Sequence, residues 1–313
     1  MQNKIKAKNY TEYFETYKIN KTLSLQGHSR AGFQTSFLIK PYNFLLDFGM
    51  YTHKTINLGF LTHQHSDHCQ RLPLVVTRDP TRNKKIYMPT SAINSVTKYY
   101  RATCELNYPE MESMSNEEFF QSINTQFIPV EPGLIITEDG LNNNCSNIHI
   151  PFQIEILKAY HNVDSVGYGF SENKSVLKKE ITDQMSTDNK SNALLMKSLK
   201  TQKINTHEIQ QIPCFVFFCD SQFFNLSKHD EWKKYPVVIC ECTGLISTSQ
   251  DEDIHSKRYH TCITQLLPIM KEFIDKKWIL IHVSMSLSVD EIIAAEKNLQ
   301  DEGLNISIVY DKR

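Results

Sequence analysis

The sequence predicts an α/β fold in which buried strands alternate with helices. Three observations predict it. Apolar runs of strand length recur along the chain, as at residues 214–219, 236–240 and 278–281. Helix-length segments lie between them, as at 90–102 and 289–299. Several of the apolar runs end at His, Asp or Glu, the densest case being Leu61-Thr62-His63-Gln64-His65-Ser66-Asp67-His68.

Length and composition suit a soluble globular chain of one large domain, residues 1–313. Hydrophobic residues make up 40% and charged residues 22% of it. No run is long and apolar enough for a transmembrane helix, and the N-terminus carries no secretory signal. The eight scattered cysteines form no C-x-x-C pair and read as reduced thiols, so a cytoplasmic location is expected. A formal net charge of −1 excludes an overall basic binder, so contact with nucleic acid requires a local patch.

In chain order, residues 1–20 form an extended or loosely helical lead-in. Residues 22–26 alternate as a strand, 27–32 make a turn or loop, and 33–39 with 43–46 form a hairpin around Lys40-Pro41-Tyr42. Asp47-Phe48-Gly49 ends that strand. The run 56–61 leads into the histidine motif, and residues 69–76 can start a helix. A strand at 85–88 stops at Pro89, and a helix over 90–102 is capped by Thr90 or Ser91. An acidic, polar excursion with a helix fills 109–125. Strands follow at 127–130, 134–137 and 152–159, with an asparagine-rich loop at 142–147.

The strand at 152–159 ends near His161, and another begins near Gly167. Residues 171–208 then change character, with seven lysines against four acids between 171 and 206. They read either as a disordered linker or as a flexible, basic, substrate-gripping insert. Core-like strands return at 214–219, ending in Asp220, at 236–240, ending in Glu241, and at 278–281, ending in His282. Residues 255–273 suit one helix with Tyr259-His260-Thr261 near its start and a kink at Pro268. A helix over 289–299 and a strand over 306–310 close the chain.

Alternate residues of an extended segment face one way, so His63 and His65 can face a common point, with Asp67 and His68 following as the chain turns. Imidazole and carboxylate suit zinc, manganese or iron. Two neighbouring ligand pairs suggest two ions roughly 3.5–4 Å apart. Further ligands must then come from distant strand ends, and His161, Asp220, Glu241 and His282 occupy such positions.

Taken together, Leu46-Asp47-Phe48-Gly49, the run from Thr62 to His68, His161, Asp220 and His282 resemble the metallo-β-lactamase superfamily, over residues 22–310. Within it the chain is most similar to ribonuclease Z, the tRNA 3′-processing endonucleases. The segments Ser165-Val166-Gly167-Tyr168-Gly169, Glu241-Cys242-Thr243, Tyr259-His260-Thr261 and Ile281-His282-Val283-Ser284 carry that resemblance. It implies an αββα sandwich of two facing mixed sheets flanked by helices, and two zinc ions, with manganese or iron as substitutes. It implies that His63, His65 and His161 hold one ion, that Asp67, His68 and His282 hold the other, that Asp220 bridges them, and that Asp47 orients a ligand histidine. It further implies that Asp67 accepts the nucleophile's proton, that His260, positioned by Glu241, is the general acid, that precursor tRNA is the partner, and that the chain can form a homodimer. The sequence departs from the family pattern at Cys219-Asp220-Ser221, at Met285-Ser286-Leu287-Ser288 and in the insert 171–208.

Three functions fit these residues. The first is a dinuclear zinc phosphodiesterase cleaving RNA at tRNA 3′ ends. The second is a small-molecule hydrolase acting on a cyclic nucleotide, thioester or lactone. The third is a catalytically weak homologue that binds RNA or a partner.

Overall fold

Alternation of inward and outward side chains builds the framework. Along residues 214–218, Phe215 and Phe217 pack into one buried cluster while Val216 and Phe218 pack into another. A strand buried on both faces must sit between two layers, and this one does. The computed structural model describes residues 14–50, 52, 56–76, 81–142 and 149–310. Most of the expected N-terminal lead-in and nearly all of the asparagine-rich loop lie outside the described residues.

The first sheet runs in sequence order through β1 (Thr16–Lys18), β2 (Ser24–Arg30), β3 (Gln34–Lys40), β4 (Phe44–Leu46), β5 (Leu58–Phe60), β6 (Lys84–Pro89) and β7 (Thr125–Val130). The second runs through β8 (Ile135–Ile136), β9 (Phe152–Ala159), β10 (Ser165–Leu177), β11 (His207–Phe217), β12 (Val237–Glu241), β13 (Lys277–Ile281) and β14 (Ile306–Ile308). Each sheet has three antiparallel pairings followed by three parallel ones. The two halves thus share one strand plan, which no sequence repeat announces.

The inner faces of both sheets meet in an aromatic core. Phe44 stacks on Phe170 with ring centroids 5.3 Å apart, and Phe37 meets Phe217 edge to face at 6.1 Å. Outside the first sheet, Ile86 and Met88 pack with Val96 and Tyr100 of the helix Ala92–Asn107. Outside the second, Val238 and Leu280 pack with Leu266 and Met270 of the helix Ile263–Glu272 and with Ile292 of the helix Val289–Asp301. The layers are helix, sheet, sheet, helix, as the resemblance implied. Among the described residues no helix is long and apolar enough to cross a membrane.

Several expectations change, and the helix expected over 90–102 runs Ala92–Asn107 without a side-chain cap from Ser91. The expected turn at 27–32 is strand as far as Arg30. Gly27 does not mark a turn there; a Cβ on it would lie 2.1 Å from the Ser36 carbonyl oxygen, so the glycine permits close strand contact. The helix after the histidine motif starts earlier than expected, at Ser66–Cys69, and a second short one spans Leu72–Val76. The expected single helix over 255–273 is two, Glu252–Lys257 and Ile263–Glu272. Tertiary hydrogen bonds break it: Tyr259 takes φ 61°, the Thr261 hydroxyl donates to the Ser221 carbonyl (2.7 Å), and Gly244 N–H donates to the Thr261 carbonyl (3.2 Å).

Residues 171–208 carry regular structure. β10 and β11 pair as a ribbon as far as Leu177 and His207, and helices Lys179–Thr182 and Asn189–Thr201 fill the connection.

Candidate metal centre

Parallel strands present their carboxyl ends at one edge, where loops gather polar groups. Asp47 follows β4, the segment from Thr62 to His68 follows β5, Asp220 follows β11, Glu241 ends β12 and His282 follows β13. His161 comes from the β9–β10 turn. All of these side chains converge.

They form two sets of four ligand atoms. In the first, His65 Nδ1 lies 3.1 Å from His63 Nε2 and 3.2 Å from His161 Nε2, and both Nε2 atoms lie 3.9 Å from Asp220 Oδ2. In the second, His68 Nε2 lies 3.4 Å from Asp67 Oδ2 and 3.3 Å from Asp220 Oδ1. His282 Nε2 lies 3.5 Å and 3.1 Å from the same two oxygens. Tetrahedral ligation at about 2.0–2.2 Å separates ligand atoms by roughly 3.3–3.6 Å. The second set matches that spacing in three of its four distances, the first brackets it at 3.1–3.9 Å, and Asp220 contributes one oxygen to each.

The chemistry of the donors fits cations. His68 Nε2 is buried and has no hydrogen-bond partner among the described residues. Asp47, Asp67 and Asp220 are buried carboxylates within a few ångströms of one another's histidine partners, a charge set that is costly without cations. His63, His65 and His161 are pushed below the usual imidazole range mainly by burial, which keeps their ring nitrogens free to ligate. Burial alone would raise the Asp220 pKa, but His282 and His68 hold it well below the carboxylate range.

A surrounding layer of hydrogen bonds fixes each ring. His68 Nδ1–H donates to Asp47 Oδ2 at 2.9 Å. The Thr62 hydroxyl, 3.0 Å from each Asp47 oxygen, accepts from His63 Nδ1 at 3.0 Å. His161 Nδ1 faces the Tyr259 carbonyl at 3.3 Å, and His282 Nδ1 faces the Thr243 hydroxyl at 3.2 Å. Asp47, Tyr259 and His282 all take positive φ (55°, 61° and 57°), so backbone strain concentrates here.

Beside the second set lies an acid–base pair. His260, in the break between the two helices, points Nδ1 at Glu241, 3.1 Å from Oε1 and 3.2 Å from Oε2. Glu241 is fully buried and also accepts from Ser221 N–H and the Thr243 hydroxyl, each at 2.6 Å. Burial disfavours charge on His260, but the Glu241 carboxylate outweighs it and pushes the imidazole up to about 9.

No family model matches the sequence, and no curated protein matches it. Among solved structures, the metallo-β-lactamase fold protein YhfI from Bacillus subtilis is similar with a TM-score of 0.52 and 15% identity, over 91% of this chain and 94% of that one. The chain has the metallo-β-lactamase fold. Human tRNase Z, short form, is similar over 96% of this chain and 95% of that one, at 14% identity and a TM-score of 0.46. The isothiocyanate hydrolase from Delia radicum gut bacteria is similar over 91% and 96%, at 9% identity and a TM-score of 0.42. At such identities the likeness extends to the fold and not to the reaction.

Within this metallo-β-lactamase fold, all seven candidate ligands and the Glu241–His260 pair meet at one edge. The sequence reading gave no supporting role to several residues that hold them there. Gly49 is one: a Cβ on it would lie 1.8 Å from the Asp67 carbonyl oxygen, so only glycine lets the turn after Asp47 close on the ligand helix. Arg30 is another, its Nη2 donating to the Ser284 (2.9 Å) and Leu287 (2.7 Å) carbonyls and holding the loop after His282. Ser29 Oγ accepts from His282 N–H at 3.0 Å, and Gly32 N–H donates to Asp67 Oδ2 at 3.1 Å. Cys219 Sγ lies 3.8 Å from His68 Nδ1. Burial pushes its thiol far up, and His68 Nδ1 is already committed to Asp47, so Cys219 supports the centre as a neutral packing group. The seven described cysteines are all buried.

Proposed function

We propose that this protein is a dinuclear metal-dependent phosphodiesterase, a ribonuclease Z-like endoribonuclease that cleaves precursor tRNA at the 3′ end. One observation carries the reading: two sets of four ligand atoms share the two oxygens of Asp220, with an imidazole–carboxylate pair alongside. His63, His65, His161 and Asp220 would hold one ion, and Asp67, His68, His282 and Asp220 the other, zinc being the expected metal. When bound, such a pair supplies Lewis acidity to a phosphoryl group and lowers the pKa of water.

The chain's own residues complete the chemistry. Asp67 accepts the proton released by the attacking water. His260, held protonated by Glu241 and with its ring 5.5 Å from those of His161 and His282, donates a proton to the departing 3′-oxygen. Asp47, Thr62, Thr243 and the Tyr259 carbonyl keep the ligand rings oriented. Support for RNA comes from the sequence resemblance around Glu241, His260 and His282, and from the lysines of 171–206.

The test is direct. Purified protein is incubated with a precursor tRNA and with bis-p-nitrophenyl phosphate, beside His65→Ala. Cleavage of both by the wild type, absent in the variant, is expected. Hydrolysis of the small ester alone would replace the tRNA reading with that of a small-molecule hydrolase. Metal content below one ion per chain under metal-replete conditions would sink the dinuclear scheme.

A further inference from the structure

A cavity of 550 Å³ adjoins the metal centre, with His161 in its wall. The ends of β6 and β7 and the β9–β10 turn form it, and Thr90, Ser91, Lys158, Tyr160, Asp164 and Ser165 line it. Its volume falls within the range of sites that enclose a small organic molecule, about 300–1,000 Å³.

Two hydroxyls in this wall are uncommitted. Ser165 is 6% exposed, and its hydroxyl has no hydrogen-bond partner among the described residues. A buried hydroxyl left unpaired is costly. Ser91 precedes the helix Ala92–Asn107, yet its side chain makes no capping hydrogen bond. Tyr160 offers a ring held in place: its N–H donates to Asn225 Oδ1 at 2.9 Å, it stacks on His229 with centroids 5.6 Å apart, and Lys158 Nζ stands 4.6 Å over it.

The charge of the wall selects among ligands. Among the described residues that line it, Lys158 is the one lysine or arginine, against the carboxylates of Asp164 and Glu131. A second phosphate would meet more repulsion than attraction there. Sugar hydroxyls and base N–H groups, in contrast, are donors that carboxylates and serine oxygens accept.

We propose that this cavity is a nucleoside subsite, holding the ribose and base next to the phosphate bound at the metal centre. The inference rests on the phosphodiesterase reading and gives it a substrate contact on the His161 side. Asp164 and Ser165 accept hydrogen bonds from the nucleoside, and Ser91 bounds the opposite wall.

Isothermal titration calorimetry on the zinc-loaded protein tests it, with AMP, UMP and inorganic phosphate as probes. At least one nucleotide should bind about tenfold more tightly than phosphate. Ser91→Trp fills the cavity from an exposed position and should bring that nucleotide's affinity down to the level of phosphate. Asp164→Ala, also at an exposed position, serves as a second variant and should weaken the nucleotide more than phosphate. Equal affinities for nucleotide and phosphate in the wild type would overturn the subsite, as would unchanged nucleotide binding in both variants. Hydrolysis of bis-p-nitrophenyl phosphate by the wild type is measured in parallel. Its absence would sink the phosphodiesterase reading, while the calorimetry still decides the subsite.

Discussion

Asp47 Oδ2 lies 2.9 Å from His68 Nδ1, with both side chains fully buried. The pair leaves Nε2 as the one His68 ring nitrogen available to a metal and sets its direction. The same carboxylate reaches His63 through Thr62, so one residue that touches no ion in the proposed scheme orients a ligand in each set.

Asp47→Asn removes the charge and keeps the shape. It is expected to lower metal affinity by about 10–100-fold, the usual effect of losing a carboxylate behind a ligand histidine. Competition with a chromophoric chelator measures this. Unchanged affinity would show that packing alone orients His68.

Asp220 and His65 separate the two sets. His65→Ala should weaken one ion and leave the other near its wild-type affinity, because His65 belongs to the first set alone. Asp220→Ala should weaken both, since its two oxygens face different sets. A metal titration followed by elemental analysis distinguishes them. Identical stoichiometry in the two variants would contradict a bridging role.

Much of this candidate site is legible in the sequence because residues able to hold a metal are chemically distinctive and here sit at strand ends. His63, His65, Asp67 and His68 declare themselves by spacing, and β9 matches its expected bounds. The supports are less legible. Thr62 and Thr243 look like ordinary strand-end residues until the structure shows which carboxylate each faces. The Tyr259 contribution is a main-chain carbonyl, which any residue type could supply. The break at Tyr259 escaped notice because no glycine or proline marks it, and the hydrogen bonds that enforce it come from residues 221 and 244. Gly27 and Gly49 show the same limit: each glycine serves a close contact with a partner distant in sequence.

Gly49→Ala tests the closure of the ligand turn. Its Cβ would meet the Asp67 carbonyl and the Thr35 backbone, neither of which is a flexible side-chain end. Overpacking of this kind costs about 1–3 kcal/mol or more. Gly140→Ala is the control, since its nearest neighbour would be 3.5 Å away in ordinary contact. Thermal denaturation of the two should differ clearly, with Gly49→Ala the less stable. Equal melting temperatures would show that the turn can shift.

In the metal-free protein, His260 should make stability depend on pH. Its folded pKa of about 9 lies above the ordinary 6.5, so folding favours the protonated ring. The stabilisation is full below about pH 6.5 and is lost as pH rises through about 9. Its magnitude is on the order of 3 kcal/mol. Urea denaturation in excess chelator should therefore show wild type and His260→Asn diverging at pH 6 and converging toward pH 9.5. A constant difference across that range would remove the coupling to Glu241.

The ribbon formed by β10 and β11 defines a clean test of the lysine-rich segment. Residues 178–206 join strands that are already paired at Leu177 and His207. Replacing that stretch with Asn-Gly, a two-residue turn suited to a hairpin, keeps the ribbon and removes six of the seven lysines. If the segment grips RNA, precursor tRNA cleavage should fall far more than hydrolysis of bis-p-nitrophenyl phosphate. The dependence of tRNA affinity on salt should also flatten, because each lost phosphate contact lowers the slope of log affinity against log salt by about 0.7–0.9. Equal losses on both substrates with an unchanged salt slope would instead assign the segment to structure, and RNA contact would have to come from elsewhere on the surface.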